Sequence, residues 1–479
     1  MSVTWSGDGP DLLLSLDRSD GRPLGHQLQD QLRAAVRDGR LRASERLPST
    51  RRLAEDLGVS RGMVVACYEQ LVAEGYLVGS AGSGTRVADG VAEPARASRH
   101  AGSAVPVEAS RRPVDVDFEY GVPDLRSAPL PDWLWALREA GRNAPTAMMA
   151  DETDAGSPRL REVVAAYHRR VRAGASDVEH AVVVNGFRQG LVLTLAALAR
   201  AGVERVGLED PGPREHDELV RRAGMVPVAV PVDGDGLDVD ALRRSGARAV
   251  VVTPAHQCPT GVVLAPERRH ALVAWAAEVD GFVLEDDYDA EFRYDRQPVG
   301  ALQGLAPDRV VALGSLSKTL APGIRLGWLL VPRVLVAPIV HEKLLTSRGA
   351  PALDQLALAT LMESGRYDRH LRRMRDVYRR RRDTLTSAVQ THTPALRLVG
   401  LEAGCHALLE LPGGVAENEV VGAASQKGVR VYGLSRYRVD AERSGEADVP
   451  PALVLGFGNV NEDRIRRGVE VLGRILSAS

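Results

Sequence analysis

Lysine is almost absent from this chain of 479 residues: only Lys318, Lys343 and Lys427 occur among 61 basic residues, and the other 58 are arginine. A chain that meets its need for positive charge with arginine keeps lysine for what arginine does not do, above all attack on a carbonyl by a neutral primary amine to form a Schiff base. Cysteine is as scarce. Cys67, Cys258 and Cys405 lie far apart, with no CxxC or metal-ligand spacing. That argues against both a disulfide framework and a zinc site, so no metal is expected, and it fits a reducing compartment. No apolar run reaches the roughly 18 residues of a membrane helix, and no basic leader followed by an apolar segment opens the chain. A soluble, cytoplasmic protein is expected. The formal charge of −2 excludes a globally basic coat for nucleic acid, yet leaves room for a small DNA-binding module balanced elsewhere.

What is present divides the chain. From residue 89 to 114 the sequence loses hydrophobic periodicity and fills with Ala, Ser, Pro, Gly and Arg, the composition of a flexible linker. Residues 20–88 form one expected domain and residues 115–479 another. In the first, Leu28, Leu32 and Val36 share one helical face, and Val64, Tyr68, Leu71 and Val72 share another. Between them "LPSTRRLAEDLGVS" reads as a short helix carrying Leu53 and Leu57, a turn at Gly58-Val59, and Ser60 capping the next helix. "GYLVGSAGSGTRVA" then alternates like a two-stranded hairpin. In a winged helix-turn-helix the second helix enters the major groove, so its first turn must carry donors for phosphates and base edges. Arg51, Arg52, Ser60 and Arg61 occupy those places. A helical interaction module with solvated arginines is the alternative.

Downstream, "HAVVVNG", "VERVGLED", "ARAVVVTPA", "GFVLEDDYD" and "RVVALGS" alternate with helical patterns, as buried parallel strands do in an α/β fold. After about Arg348 helices dominate, and "PALVLGFGNV" suggests a smaller α+β C-terminal lobe. The arginine run "RYDRHLRRMRDVYRRRRDTL" reads as the solvated face of a long helix. Lys343 reads as a solvated helix position and Lys427 as a helix C-terminus before glycine. Lys318 has no such bland reading, because an apolar strand delivers it into "GSLSKTLAPGIRLGW".

A pyridoxal phosphate site needs an amine, a carboxylate against the pyridine nitrogen, a phosphate cradle and a face for the ring. Lys318 supplies the first, Asp286 at a strand end the second, and Tyr288 a phenol for the ring oxygen. Ser315, Ser317 and Arg325 surround the lysine, and Gly186 in "VNGFRQGL" opens a helix whose first amides favour an anion. An acidic strand end or a Ser-Lys pair alone is commonly structural; the weight lies in their combination. No residue stands out for the ring face.

Two resemblances follow. "LPSTRRLAEDLGVSRGMVVACYEQLVAEGYL" resembles the GntR-type winged helix, which implies contacts with operator DNA at Arg51 and Arg61 and places Gly82 at a wing tip reaching the minor groove. Val65 and Ala81 stand where members of that family carry polar residues. "EDDYDAEFRY", "TPAHQCPTG", "GSLSKTLAPGIRLGW" and "LSRYR" look like the fold-type-I aminotransferase domain, in the version found in MocR/GabR-type regulators. This resemblance implies an α/β chain with an N-terminal winged helix-turn-helix, a large pyridoxal-phosphate-dependent domain and a smaller α+β lobe. It also implies the Schiff-base role for Lys318, a phosphate ligand in Arg325, an effector carboxylate at Arg436, with Arg214 a second candidate, and a homodimer. Pro213, Phe187, Val454 and Cys258 depart from what amino-acid aminotransferases usually carry at the ring face, the phosphate turn, the α-carboxylate arginine and the "NPTG" asparagine. Efficient turnover is therefore not expected. The reading is a transcriptional regulator that senses an amine, an amino acid or pyridoxal phosphate itself. The alternatives are a working aminotransferase with an accessory head and a scaffold that has lost its cofactor.

Overall fold

The computed structural model describes residues 14–80, 84–89, 114–150, 154–289, 291–294, 300–439 and 450–477. The chain divides into two compact units, Met1–Arg111 and Arg112–Ser479.

The first unit packs helices Leu24–Arg37, Thr50–Leu57 and Arg61–Ala73 around Leu28, Leu32, Val36, Leu53, Val64, Tyr68 and Leu71. Ser49 caps the second helix by accepting from the Arg52 amide at 3.2 Å, and Ser60 caps the third by accepting from Met63 at 3.3 Å, each satisfying an amide that the helix leaves unpaired. The turn between them closes at Gly58, whose φ of 62° lies in the left-handed region. Two expected core positions differ. Val72 is 41 % exposed, because the helix turns it about 100° away from Leu71, and Leu57 is only partly buried. Leu77–Ser80 and Gly84–Val87 form the antiparallel hairpin. A bridge between Arg46 and Arg86 adds a third stretch to it.

The second unit is built on an eight-stranded sheet in the order Ala181–Val184, Gly327–Leu330, Val310–Ser315, Phe282–Asp286, Ala249–Val252, Arg205–Asp210, Val226–Asp233, Gly236–Leu237. All five strands expected from the sequence are present and buried. The sheet is not wholly parallel, however: Gly327–Leu330 runs antiparallel to both neighbours. The segment joining it to Val310–Ser315 is too short for the crossover of a dozen or more residues that a parallel return needs, so the chain turns straight back. The lysine turn is that connection.

A four-stranded antiparallel sheet, Leu398–Val399, His406–Glu410, Ala452–Gly456 and Tyr432–Gly433, makes the smaller lobe. Helix Arg366–His392 buries Tyr367, Leu371, Met374, Tyr378 and Leu385 along one face and leaves most of its arginines solvated. Arg381 is the exception, buried against Asp124 at 2.7 Å. Lys343 overturns its solvated reading: it is 1 % exposed, on the inward face of Arg333–Thr346, and donates to the Asp154 carbonyl at 3.2 Å. Lys427 does follow its helix, with Gly428 at φ 76° behind it. Among the described residues, no helix is long and apolar enough to cross a membrane.

Candidate effector site and DNA-binding head

The strand Val310–Ser315 carries Ser315 at its end and releases the chain into the turn that holds Ser317 and Lys318. Its parallel neighbour ends at Asp286, in register with Leu313, so the amine and the carboxylate emerge from adjacent strand ends. Burial pulls the Lys318 amine below its ordinary range, opposed by the charge of Asp286; burial likewise pushes the Asp286 carboxyl well above its range, opposed by Lys318. A lysine biased toward the neutral amine is the form that attacks a carbonyl. Its Nζ donates to the carbonyl of Gly121, 197 positions upstream, and sits 5.6 Å from the centre of the Tyr120 ring. Gly121 has φ 79°, and a Cβ there would stand 2.6 Å from Nζ, so any larger residue would press on the amine.

Arg325 ends the same turn at φ 53° and donates to the Asn185 carbonyl at 3.2 Å. Gly186, at φ 85°, caps helix Phe187–Arg200, and a Cβ on it would come within 3.7 Å of the Arg325 guanidinium. The Ser315 and Ser317 hydroxyls lie 3.0 Å apart. Two hydroxyls, a guanidinium and helical amides with no intrahelical acceptor fit a phosphate monoester. With Asp286 placed for a protonated ring nitrogen and Lys318 for an aldehyde, the donor set fits pyridoxal phosphate.

Lys318, Arg214 and Arg436 line one cavity of about 770 Å³, together with Glu119, Tyr120 and Tyr437. The two arginine-bearing walls are tied together: Gly212 donates its amide to the Tyr437 carbonyl at 2.7 Å, and Asp210 accepts from the Val439 amide and pairs with Arg438, both at 3.1 Å. Pro213 lines this cavity, and Val454 is fully buried in its strand. Tyr288 donates its hydroxyl to the His256 carbonyl at 2.9 Å. Tyr120 stands edge-on to Tyr288, His406 and Tyr437. Tyr120 and His406 reach the site only by long-range folding and carry no local pattern that marks them; His256 lies in "TPAHQCPTG" but had no role assigned.

In the first unit Arg61 opens the third helix and is exposed. Arg51 and Arg52 pair one turn on with Glu55 at 3.2 Å and Asp56 at 3.1 Å. Exposed i,i+4 pairs hold weakly and leave both side chains free to exchange onto phosphates. Gly82 lies outside the described residues.

Residues 24–87 match the family model for bacterial regulatory proteins of the gntR family, and residues 116–441 match aminotransferase class I and II. The chain belongs to the MocR/PdxR-type transcriptional regulators, which join these two domains. It is 33 % identical over 462 residues to the pyridoxine biosynthesis regulator PdxR of Corynebacterium glutamicum, covering 95 % of this chain and 96 % of that one. It is 31 % identical over 477 residues to MocR of Rhizobium meliloti, a probable rhizopine catabolism regulatory protein, covering 96 % and 95 %. Among solved structures, the multiple substrate aminotransferase of Thermococcus profundus superposes with a TM-score of 0.69 at 23 % identity, over 77 % of this chain and 92 % of that one. The fold is that of aminotransferases, which implies dependence on pyridoxal phosphate, and the gntR domain implies DNA binding.

Proposed function

We propose that this regulator holds pyridoxal phosphate as a Schiff base on Lys318 and reports the arrival of an amine or amino acid by a change in operator binding. The observation that carries the reading is the shared cavity of Lys318, Arg214 and Arg436, which offers a nucleophilic amine and two guanidinium groups to one small molecule. The cofactor supplies an electrophilic carbon for amine exchange. The chain's own residues would do the rest: Asp286 would face the ring nitrogen, Arg325, Ser315, Ser317 and the amides after Gly186 would hold the phosphate, and Tyr288, whose hydroxyl donates to the His256 carbonyl in this structure, would have to turn that donation to the ring oxygen. Arg436 and Arg214 take an effector carboxylate. Pyridoxal phosphate acting alone is the second form of the same signal, suggested by the likeness to PdxR. Residues 20–88 read the operator, residues 89–114 link, and residues 115–479 sense, in a homodimer.

Sensing works only if effector binds one DNA-binding state better than the other. Purified protein mixed with candidate amines and 2-oxoglutarate is expected to change its absorbance spectrum without sustained turnover, and to change its affinity for its own promoter DNA. Steady product formation with DNA affinity unaffected would overturn the sensor in favour of an enzyme. Arg436→Ala removes a charge-assisted contact of about 1.5–3 kcal/mol, so the effector concentration for half-response is expected to rise roughly 10- to 150-fold, read by titrating the DNA response. Arg61→Ala is expected to weaken operator binding by about 1–3 kcal/mol and relax base preference at one position; fluorescence anisotropy on operator variants checks both.

A further inference from the structure

Behind the lysine turn, three side chains converge whose chemistry the proposed function does not use. His256, Asp289 and His406 are 1 %, 4 % and 1 % exposed, and one ligand atom from each lies within 4.8 Å of the other two. His256 Nε2 faces the Gly400 carbonyl at 3.2 Å. A carbonyl only accepts, so this nitrogen carries a hydrogen, and a neutral ring then keeps its lone pair on Nδ1. Yet Nδ1 stands 2.9 Å from Asp289 Oδ2, and a lone pair set against a carboxylate repels it unless a proton or a metal cation stands between them. The Tyr288 hydroxyl approaches Nδ1 to 3.3 Å but is committed to the His256 carbonyl. His406, its ring 4.5 Å from that of His256, has the main-chain carbonyls of Pro259 and Gln257 beside it and a buried Nε2 with no hydrogen-bond partner among the described residues. A small cavity of about 10 Å³ lined by Asp289, His406, Tyr288, Cys405 and Lys318 adjoins two of them, room for about one water or ion.

Three acceptors facing one another, with carbonyls standing beside both imidazoles and holding the far nitrogen of His256, is the arrangement of metal-binding histidines. We propose that His256 Nδ1, Asp289 and His406 Nε2 bind one divalent cation of the zinc class. Two imidazoles and a carboxylate suit zinc and its first-row neighbours rather than calcium or magnesium, and leave a coordination position open toward the small cavity. The cysteines give no sign of this site, because its ligands are 33 residues apart in one case and in a different lobe in the other.

The three ligands form no part of the Schiff-base link, so metal binding is read directly, without added cofactor. Full-length protein, stripped by dialysis against a chelator, is titrated separately with Co²⁺ and Zn²⁺. One equivalent of Co²⁺ per chain is expected to bind and to develop the ligand-field absorption of a low-coordinate site, with Zn²⁺ displacing it. His406→Gln is expected to lose the equivalent. Should His406→Gln fail to fold, Asp289→Asn provides the same comparison with the size of the side chain kept. No saturable uptake by the parent, or equal uptake by the parent and the ligand variants, overturns the site; in the first case the arrangement is a doubly protonated His256 paired with Asp289.

Discussion

Lys318→Ala is expected to give a folded, colourless protein: no absorbance from a protonated Schiff base, and pyridoxal phosphate lost on gel filtration. Lys318→Arg is expected to behave alike, since a guanidinium stays protonated and forms no imine under these conditions. The remaining contacts, Arg325, Ser315, Ser317 and the helix after Gly186, are reversible, so the variant binds cofactor measurably but releases it. Stability is expected to change little by comparison. The side chain is only half-buried, and its amine is biased toward neutrality by burial, so its removal strands no obligatory ion pair. A variant that kept the colour would move the covalent link elsewhere, to Lys343 or Lys427.

Arg172→Ala is expected to destabilise the fold by about 3–5 kcal/mol, the range for removing one partner of a buried pair. Arg172 grips both oxygens of Asp287 at 2.5 and 2.7 Å, with side chains 2 % and 9 % exposed. Asp287 lies between Asp286 and Tyr288, so the pair also anchors the strand end that faces the cofactor. Around it stand Glu285 and Glu291, each pushed up to about 7, first by burial and then by the charge of Asp287, while Arg172 pulls the other way. Without the guanidinium, three buried carboxylates share one space. The pH dependence has a definite sign. Glu285 and Glu291 titrate higher in the folded protein than unfolded, so their contribution to stability is fully present below the ordinary carboxylate range and is lost as pH rises through about 7. The penalty for Arg172→Ala is therefore smaller near pH 5 than near pH 8. Urea unfolding at the two pH values checks it; a loss under 1 kcal/mol at pH 8, or a larger loss at low pH, contradicts the account.

The parts of the site written in short contiguous stretches were legible, and the parts assembled across the fold were not. Lys318, Ser315, Ser317 and Arg325 share one turn, and Asp286 and Tyr288 share one strand end, so residue type and local pattern sufficed to single them out. Tyr120 and His406 reach the lysine only through pairing of distant segments, and nothing in their neighbourhoods distinguishes them from packing residues; His256 stands in the recognisable stretch "TPAHQCPTG", but its partners Asp289 and His406 come beside it only in the fold. Lys343 shows the converse failure. Its helix has polar and apolar residues mixed around its circumference, and the inward face takes Glu342 and Lys343 along with Leu335 and Ile339, against the rule that lysine stays out unless it finds a partner. The strand Gly327–Leu330 begins within the last two residues of the lysine motif, but its reversed direction depends on the length of the connection, which hydrophobicity does not encode.

Because the chain has three lysines, the central claim reduces to one measurement. The protein incubated with pyridoxal phosphate is reduced with borohydride, which fixes any imine, then digested and mapped by mass spectrometry. One pyridoxyl-phosphate group is expected per chain, on the peptide containing Lys318 alone. Modification confined to Lys343 or Lys427, or bound cofactor that leaves no lysine labelled after reduction, would contradict it.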